Sequence, residues 1–247
     1  METNCVIYKN FNTKQKLVNK RKLTKFLNFR ILFKKYPLLK SLTNNYDYTF
    51  KKKNLKNFKK YIEFNLIGMG GSILGAQAIY DFLNHKIKKK FFFFNNLQNF
   101  NILKSNKKRL NIIISKSGNT LETISNLNLI ITKQKNNKNL IITENKKNIL
   151  RLIANKLKSE VLEHKNYIGG RYSVLSEVGM VPAELMGLNE KKFKRLNDLI
   201  KNKAFINYLT NNVSSIYSNI IKGKKNSVIL NYDEKLNNFL KWYQQLS

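Results

Sequence analysis

Four short apolar runs constrain this chain most: Phe64-Asn65-Leu66-Ile67, Phe91 to Phe94, Ile112-Ile113-Ile114 and Leu140-Ile141-Ile142-Thr143. They have the length of buried strands and are bounded by polar turns. Helical patterns lie between them. Ile73, Leu74, Ala76, Ala78, Ile79, Phe82 and Leu83 make one apolar helix face, and Leu121, Ile124 and Leu127 begin another. Ile149, Leu150, Leu152, Ile153, Ala154 and Leu157 make a third, and Val161-Leu162 reads as one more short strand. Continuous apolar strands alternating with helices predict an α/β fold with a parallel sheet.

The segments that leave the strands carry the chemistry. The first strand runs into Gly68-Met69-Gly70-Gly71-Ser72, a turn that lets backbone N–H groups approach an anion at the positive end of a helix. A dinucleotide fingerprint requires Gly-x-Gly-x-x-Gly, but Ile73 stands where the third glycine belongs. The second strand ends in Asn95 and Asn96 rather than in an acid for a ribose, so a nicotinamide cofactor is not expected. A turn that merely links strand to helix stays open as the plainer alternative.

After the Ile112 strand comes Ser115-Lys116-Ser117-Gly118-Asn119-Thr120, which crowds hydroxyls, an amine and free N–H groups at one helix start. That is the chemistry of a phosphate site: hydroxyls donate, the lysine supplies charge, and the helix dipole adds roughly 0.3–1 kcal/mol. Asn119 and Glu122 have the spacing of a capping box. The Walker spacing is absent. An ordinary helix cap with a solvated lysine is the alternative.

A third stretch, Tyr167-Ile168-Gly169-Gly170-Arg171-Tyr172-Ser173-Val174-Leu175-Ser176, sets two glycines beside an arginine. Arginine is scarce here. Of 47 basic residues only Arg21, Arg30, Arg109, Arg151, Arg171 and Arg195 are arginines, although the net charge is +33. Phosphate and base readers draw on the bidentate arginine fork. The excess of Lys, Asn, Ile, Phe and Tyr instead fits drift toward A/T-rich codons, so no specific nucleic-acid partner is expected. Cys5 is the single cysteine, which excludes an internal disulfide, and no Cys/His spacing suits zinc. Neither a signal peptide nor a membrane-length apolar run is present, and the expected location is cytoplasmic. His85 and His164 stand alone and read as surface or packing residues.

Leu23, Phe26, Leu27 and Ile31 suggest an amphipathic helix within a basic arm (residues 1–60), ended by Pro37. Leu175 to Met186 predicts a helix broken at Pro182. Phe193, Leu196, Leu199 and Ile200 make a connecting helix, and Phe205 to Ile221 another. Ser227 to Tyr232 predicts a new strand, and Leu236, Phe239, Leu240 and Tyr243 mark a last helix face. A domain opening on one strand and one helix reads as cut rather than finished.

Taken in order, these loops together with Trp242-Tyr243-Gln244-Gln245-Leu246 resemble glucose-6-phosphate isomerase of the bacterial kind over residues 61–247. The resemblance implies a parallel-sheet sugar-isomerase domain flanked by helices over residues 61–203, and the start of a second such domain over 204–247. It also implies aldose–ketose isomerisation of a sugar phosphate through a cis-enediol(ate), with no cofactor or metal. Carried over, Gly71 and Ser72 line the sugar site. Ser115, Lys116, Ser117 and Thr120 grip the phosphate, Arg171 faces the reacting carbons and Gln245 contacts the substrate. The family's glutamate base, a few residues beyond the Gln245 position, and its ring-opening histidine and lysine have no counterpart in these 247 residues. Neither Glu177 nor Glu234 occupies the motif position. The expectation is therefore a binding half without its acid/base set, a homodimer if full length. The alternative is a regulatory module that binds sugar phosphate without catalysis.

Overall fold

The computed structural model describes residues 29–97, 108–134 and 137–247. Most of the expected N-terminal helix (Leu23, Phe26, Leu27), and Cys5, lie outside them. Two compact units form: Met1–Asn44 with Arg195–Leu230, and Asn45–Lys194 with Asn231–Ser247.

The first unit is helical in its described residues. Helix α1 (Phe29–Lys35) stops one residue before Pro37, since the residue preceding a proline is pushed out of the helical region. In the second unit, α2 (Lys52–Leu55) precedes β1 (Glu63–Gly68). Then come α3 (Leu74–Leu83), β2 (Lys90–Phe94), β3 (Leu110–Ile114), α4 (Leu121–Lys133) and β4 (Lys138–Thr143). Next follow α5 (Ile149–Lys156), β5 (Glu160–Glu163) and α6 (Glu177–Leu185). Helices α7 (Leu196–Leu199) and α8 (Lys203–Ile221) belong to the first unit, and α9 (Asn237–Leu246) returns to the second.

All five strands pair in parallel in the order β2-β1-β3-β4-β5. Strand alternation divides their side chains between two cores. Leu66, Ile112, Ile114, Leu140 and Ile142 pack with Ile73 and Ala76 near the start of α3 and with Met180 and Val181 of α6. Ile67, Ile113 and Ile141 pack on the other face with Leu127 and Ile130 of α4 and Leu150 and Ala154 of α5. Each such aliphatic side chain withdrawn from water contributes about 1.5–3 kcal/mol. This is the covered parallel sheet the apolar runs predict.

Two local expectations are corrected. Helix α6 is continuous through Pro182, because the proline removes only its own N–H while Met180 N–H still donates to Ser176 O and Met186 N–H to Pro182 O. Residues 227–232 form no strand. Val228 and Tyr232 are 81% and 94% exposed, and without a neighbouring strand the backbone has no ladder to join.

Candidate functional site

The strand order reverses between β1 and β3. The chain leaves β1 toward β2 on one side and β3 toward β4 on the other, so the connections diverge and open a crevice at the carboxyl ends of these strands. The glycine turn leaves β1 at that point, and the Ser115–Thr120 loop leaves β3 beside it.

Close backbone approach explains the glycines. Gly70 has φ +54, which favours glycine, and a Cβ there would sit 2.7 Å from Gln245 Nε2. A Cβ on Gly71 would fall 2.3 Å from the Gly170 carbonyl and 2.6 Å from Arg171 N. The glycine turn therefore packs directly on the arginine segment and on α9. Ser173, buried, donates to Gly170 O at 2.6 Å and lies 3.4 Å from Gly71 O. Trp242 Nε1 donates to Arg171 O at 3.0 Å, and Asn238 of α9 donates to Asp81 of α3 at 2.6 Å. Arg171 is exposed, and among the described residues its guanidinium forms no hydrogen bond or ion pair. Gln245 Oε1 is buried without a partner.

In the second loop the hydroxyls face one another. Ser115 Oγ lies 2.9 Å from Thr120 Oγ1 and accepts from Gly118 N–H at 3.1 Å, while Ser117 Oγ accepts from Asn119 N–H at 3.2 Å. Thr120 is the N-cap of α4 and makes no side-chain cap bond, so the first-turn N–H groups stay open. The expected capping box is corrected: the Asn119 side chain accepts instead from Ile149 N–H at 3.0 Å, at the start of α5. Gly118, at φ +70, lets the loop close on the Asn148 cap of that helix.

Lys116 reaches Asn166 O at 2.7 Å and Glu144 at 3.5 Å, and Lys146 reaches Glu144 at 2.5 Å. Burial works to raise Glu144, yet the Lys146 and Lys116 ammonium groups hold it below the usual carboxylate range. His164 is buried, with Nδ1 on Lys165 O at 3.1 Å; burial pushes it down, which keeps the ring neutral. Gly71, Ser72, Ser115, Lys116, Ser117, Thr120, Arg171 and Gln245 thus belong to three loops and one helix around the crevice. Sequence reasoning missed Glu144, which governs Lys116, and the clamp role of Trp242. Asn148 could have been found as a cap ahead of an apolar helical run.

An open parallel sheet with an anion-ready helix start at its switch point defines an α/β domain of the doubly wound, phosphate-binding kind. Solved structures share this fold. A hypothetical protein from Thermus thermophilus superposes with a TM-score of 0.65 at 19% identity, covering 96% of this chain and 56% of that one. A putative tagatose-6-phosphate ketose/aldose isomerase from Clostridium novyi NT gives 0.57 at 18%, covering 92% and 57%. Residues 38–247 match the family described as phosphoglucose isomerase, and the chain belongs to that family. Glucose-6-phosphate isomerase of Methanocaldococcus jannaschii is 33% identical over 77% of this chain and 52% of its own length. That of Borreliella afzelii is 32% identical over 79% and 41%. The chain spans about half the length of these curated relatives.

Proposed function

We propose that this chain carries the sugar-phosphate-binding part of a glucose-6-phosphate isomerase. The observation that carries this reading is the convergence of the glycine turn, the Ser115–Thr120 loop, Arg171 and Gln245 on one crevice at the β1/β3 ends. The phosphate sits on the first N–H groups of α4 and the hydroxyls of Ser115, Ser117 and Thr120, with Lys116 swinging from Glu144 to meet it. The sugar lies toward Gly71, Ser72 and Gln245.

Moving a carbonyl from C1 to C2 takes a proton from the carbon beside the carbonyl and places negative charge on oxygen. A permanently charged guanidinium stabilises that cis-enediolate without losing a proton of its own, which is the role of Arg171. A carboxylate base is needed as well, and the buried candidates nearby are engaged. Glu177 accepts from Tyr46 OH at 3.0 Å and Thr49 N–H at 3.0 Å, and Glu144 is held by two lysines. Neither of these two glutamates is therefore free to serve as the base. On this reading the enzyme acts in the cytoplasm, as a homodimer, in glycolysis and gluconeogenesis. Calorimetric titration with glucose 6-phosphate, paired with an isomerisation assay on the 247-residue chain, tests the reading. Binding without turnover is expected, robust turnover would show that a base lies within the chain, and no binding would refute the site.

A further inference from the structure

Behind the arginine segment lies a second cluster of charged and aromatic side chains that the proposed chemistry does not use. The 3-10 turn Gly170–Leu175 carries Arg171 at its start and ends on Leu175, whose neighbour Ser176 caps α6. At its Arg171 end the turn is held by Trp242. At its other end the ammonium of Lys194 donates to Leu175 O.

Lys194 is 3% exposed, and its ammonium lies 4.5 Å from the Tyr46 ring centre and 4.7 Å from that of Tyr48. Two aromatic faces and one carbonyl make a cage that suits a cation and gives a neutral amine far less. The charged groups acting on it come from every side: Glu177 of α6, Glu190 of the preceding turn, and Lys165 beyond β5, whose own ammonium lies 4.4 Å from the Tyr46 ring centre. The two tyrosines are pushed up, chiefly by burial and then by the nearby glutamates, so they stay neutral through the alkaline range.

We propose that protonated Lys194 is a positioning residue for Arg171, fastening the far end of the turn that carries it, so that sugar-phosphate binding requires the Lys194 proton. This rests on the reading of Arg171 as a substrate contact. The cage has a built-in threshold, because burial pushes Lys194 down to about 8 while Glu177 and Glu190 resist. The consequence for stability has the opposite sign. Between about 8 and the ordinary lysine value of 10.5 the folded chain binds fewer protons here than the unfolded chain, so this group makes the fold more stable as pH rises. Loss of binding in that window would therefore not be unfolding driven by Lys194.

Trp242 is the single tryptophan, and it touches the Arg171 carbonyl, so its emission reports on the turn directly. Trp242 emission, excited at the red edge of its absorption where neutral tyrosine scarcely absorbs, is followed from about pH 6.5 to about pH 9, a range that spans the shifted lysine value and stops below the ordinary tyrosine value of about 10. The proteins are the unaltered 247-residue chain, Lys194→Arg and Lys194→Met, with glucose 6-phosphate affinity measured at both ends of the range. A transition near pH 8 is expected in the unaltered chain and none in Lys194→Arg, which keeps its charge. Lys194→Met should carry the high-pH spectrum already at neutral pH. Affinity should fall about tenfold over the same range in the unaltered chain alone, within the usual size of couplings between sites.

An emission spectrum indifferent to pH in the unaltered chain overturns the proposal without recourse to any variant. So does a transition with undiminished affinity, because the turn would then move without mattering to the ligand. A transition with no glucose 6-phosphate binding at any pH upholds the Lys194 fastening and sinks the sugar-phosphate site instead.

Discussion

The two ends of the same sheet treat polar groups in opposite ways. At the amino ends of the strands, Asn65, Asn111 and Asn139 stand side by side in register across β1, β3 and β4. Asn65 donates to Asn111 and Asn111 to Asn139, both at 2.8 Å, while Gln134 and Asn137 close the network. Arg109, wholly buried, donates to Glu63 at 2.8 Å and lies 4.3 Å over the Phe92 ring. At the carboxyl ends the polar groups are left for something else: Arg171 is exposed, Gln245 Oε1 is unpartnered and the α4 start has no side-chain cap. One end commits its hydrogen bonds to the fold. The other leaves several of them uncommitted.

Substitutions at the two ends should therefore separate stability from binding. The largest effect is expected from Arg109→Met, which breaks the buried ion pair with Glu63 and should cost about 3–5 kcal/mol of unfolding free energy by urea titration. Glucose 6-phosphate affinity of the folded fraction should be unchanged. Gly71→Ala drives a methyl into the Gly170 backbone, so it should lower stability by about 1–3 kcal/mol and also abolish measurable binding. Asn111→Ala removes the acceptor of Asn65 and the donor to Asn139 and should cost about 1–3 kcal/mol, again without touching affinity.

Acid should act more gently. Against the burial that raises it, Glu184 is held well below its ordinary value by its hydrogen bond with Glu190 and by the Lys52 and Lys59 ammonium groups. A carboxylate depressed in the folded state adds stability above its unfolded value and loses it as pH falls toward its folded one. Unfolding midpoints should thus decline below about pH 4.5, the shift shrinking in high salt because Lys52 and Lys59 are half-exposed. A pH-independent midpoint across that range would remove these pairs from the account.

Sequence reading reached the carboxyl end far better than the amino end, for a physical reason. Gly70, Gly71 and the Ser115–Thr120 hydroxyls are consecutive residues at strand ends, and their chemistry is local. The Arg109–Glu63 pair and the asparagine ladder join residues 46 and 28 apart, so they exist only once β1, β3 and β4 take their register. The same holds for Asn119, whose cap spacing points to α4 while in the folded chain it accepts from the N–H of Ile149. Ser227 to Tyr232 has strand composition, but pairing is not a property of one segment.

The central claim is that the carboxyl end of the sheet binds a sugar phosphate through Arg171. Calorimetric titration of glucose 6-phosphate into the unaltered chain and into Arg171→Ala, with unfolding midpoints of both, tests it most directly. Removing one charge-assisted contact of about 1.5–3 kcal/mol should weaken binding roughly ten- to a hundredfold while leaving the midpoint where it was. Equal affinity in the two proteins, or a variant that loses stability as Arg109→Met should, would contradict it.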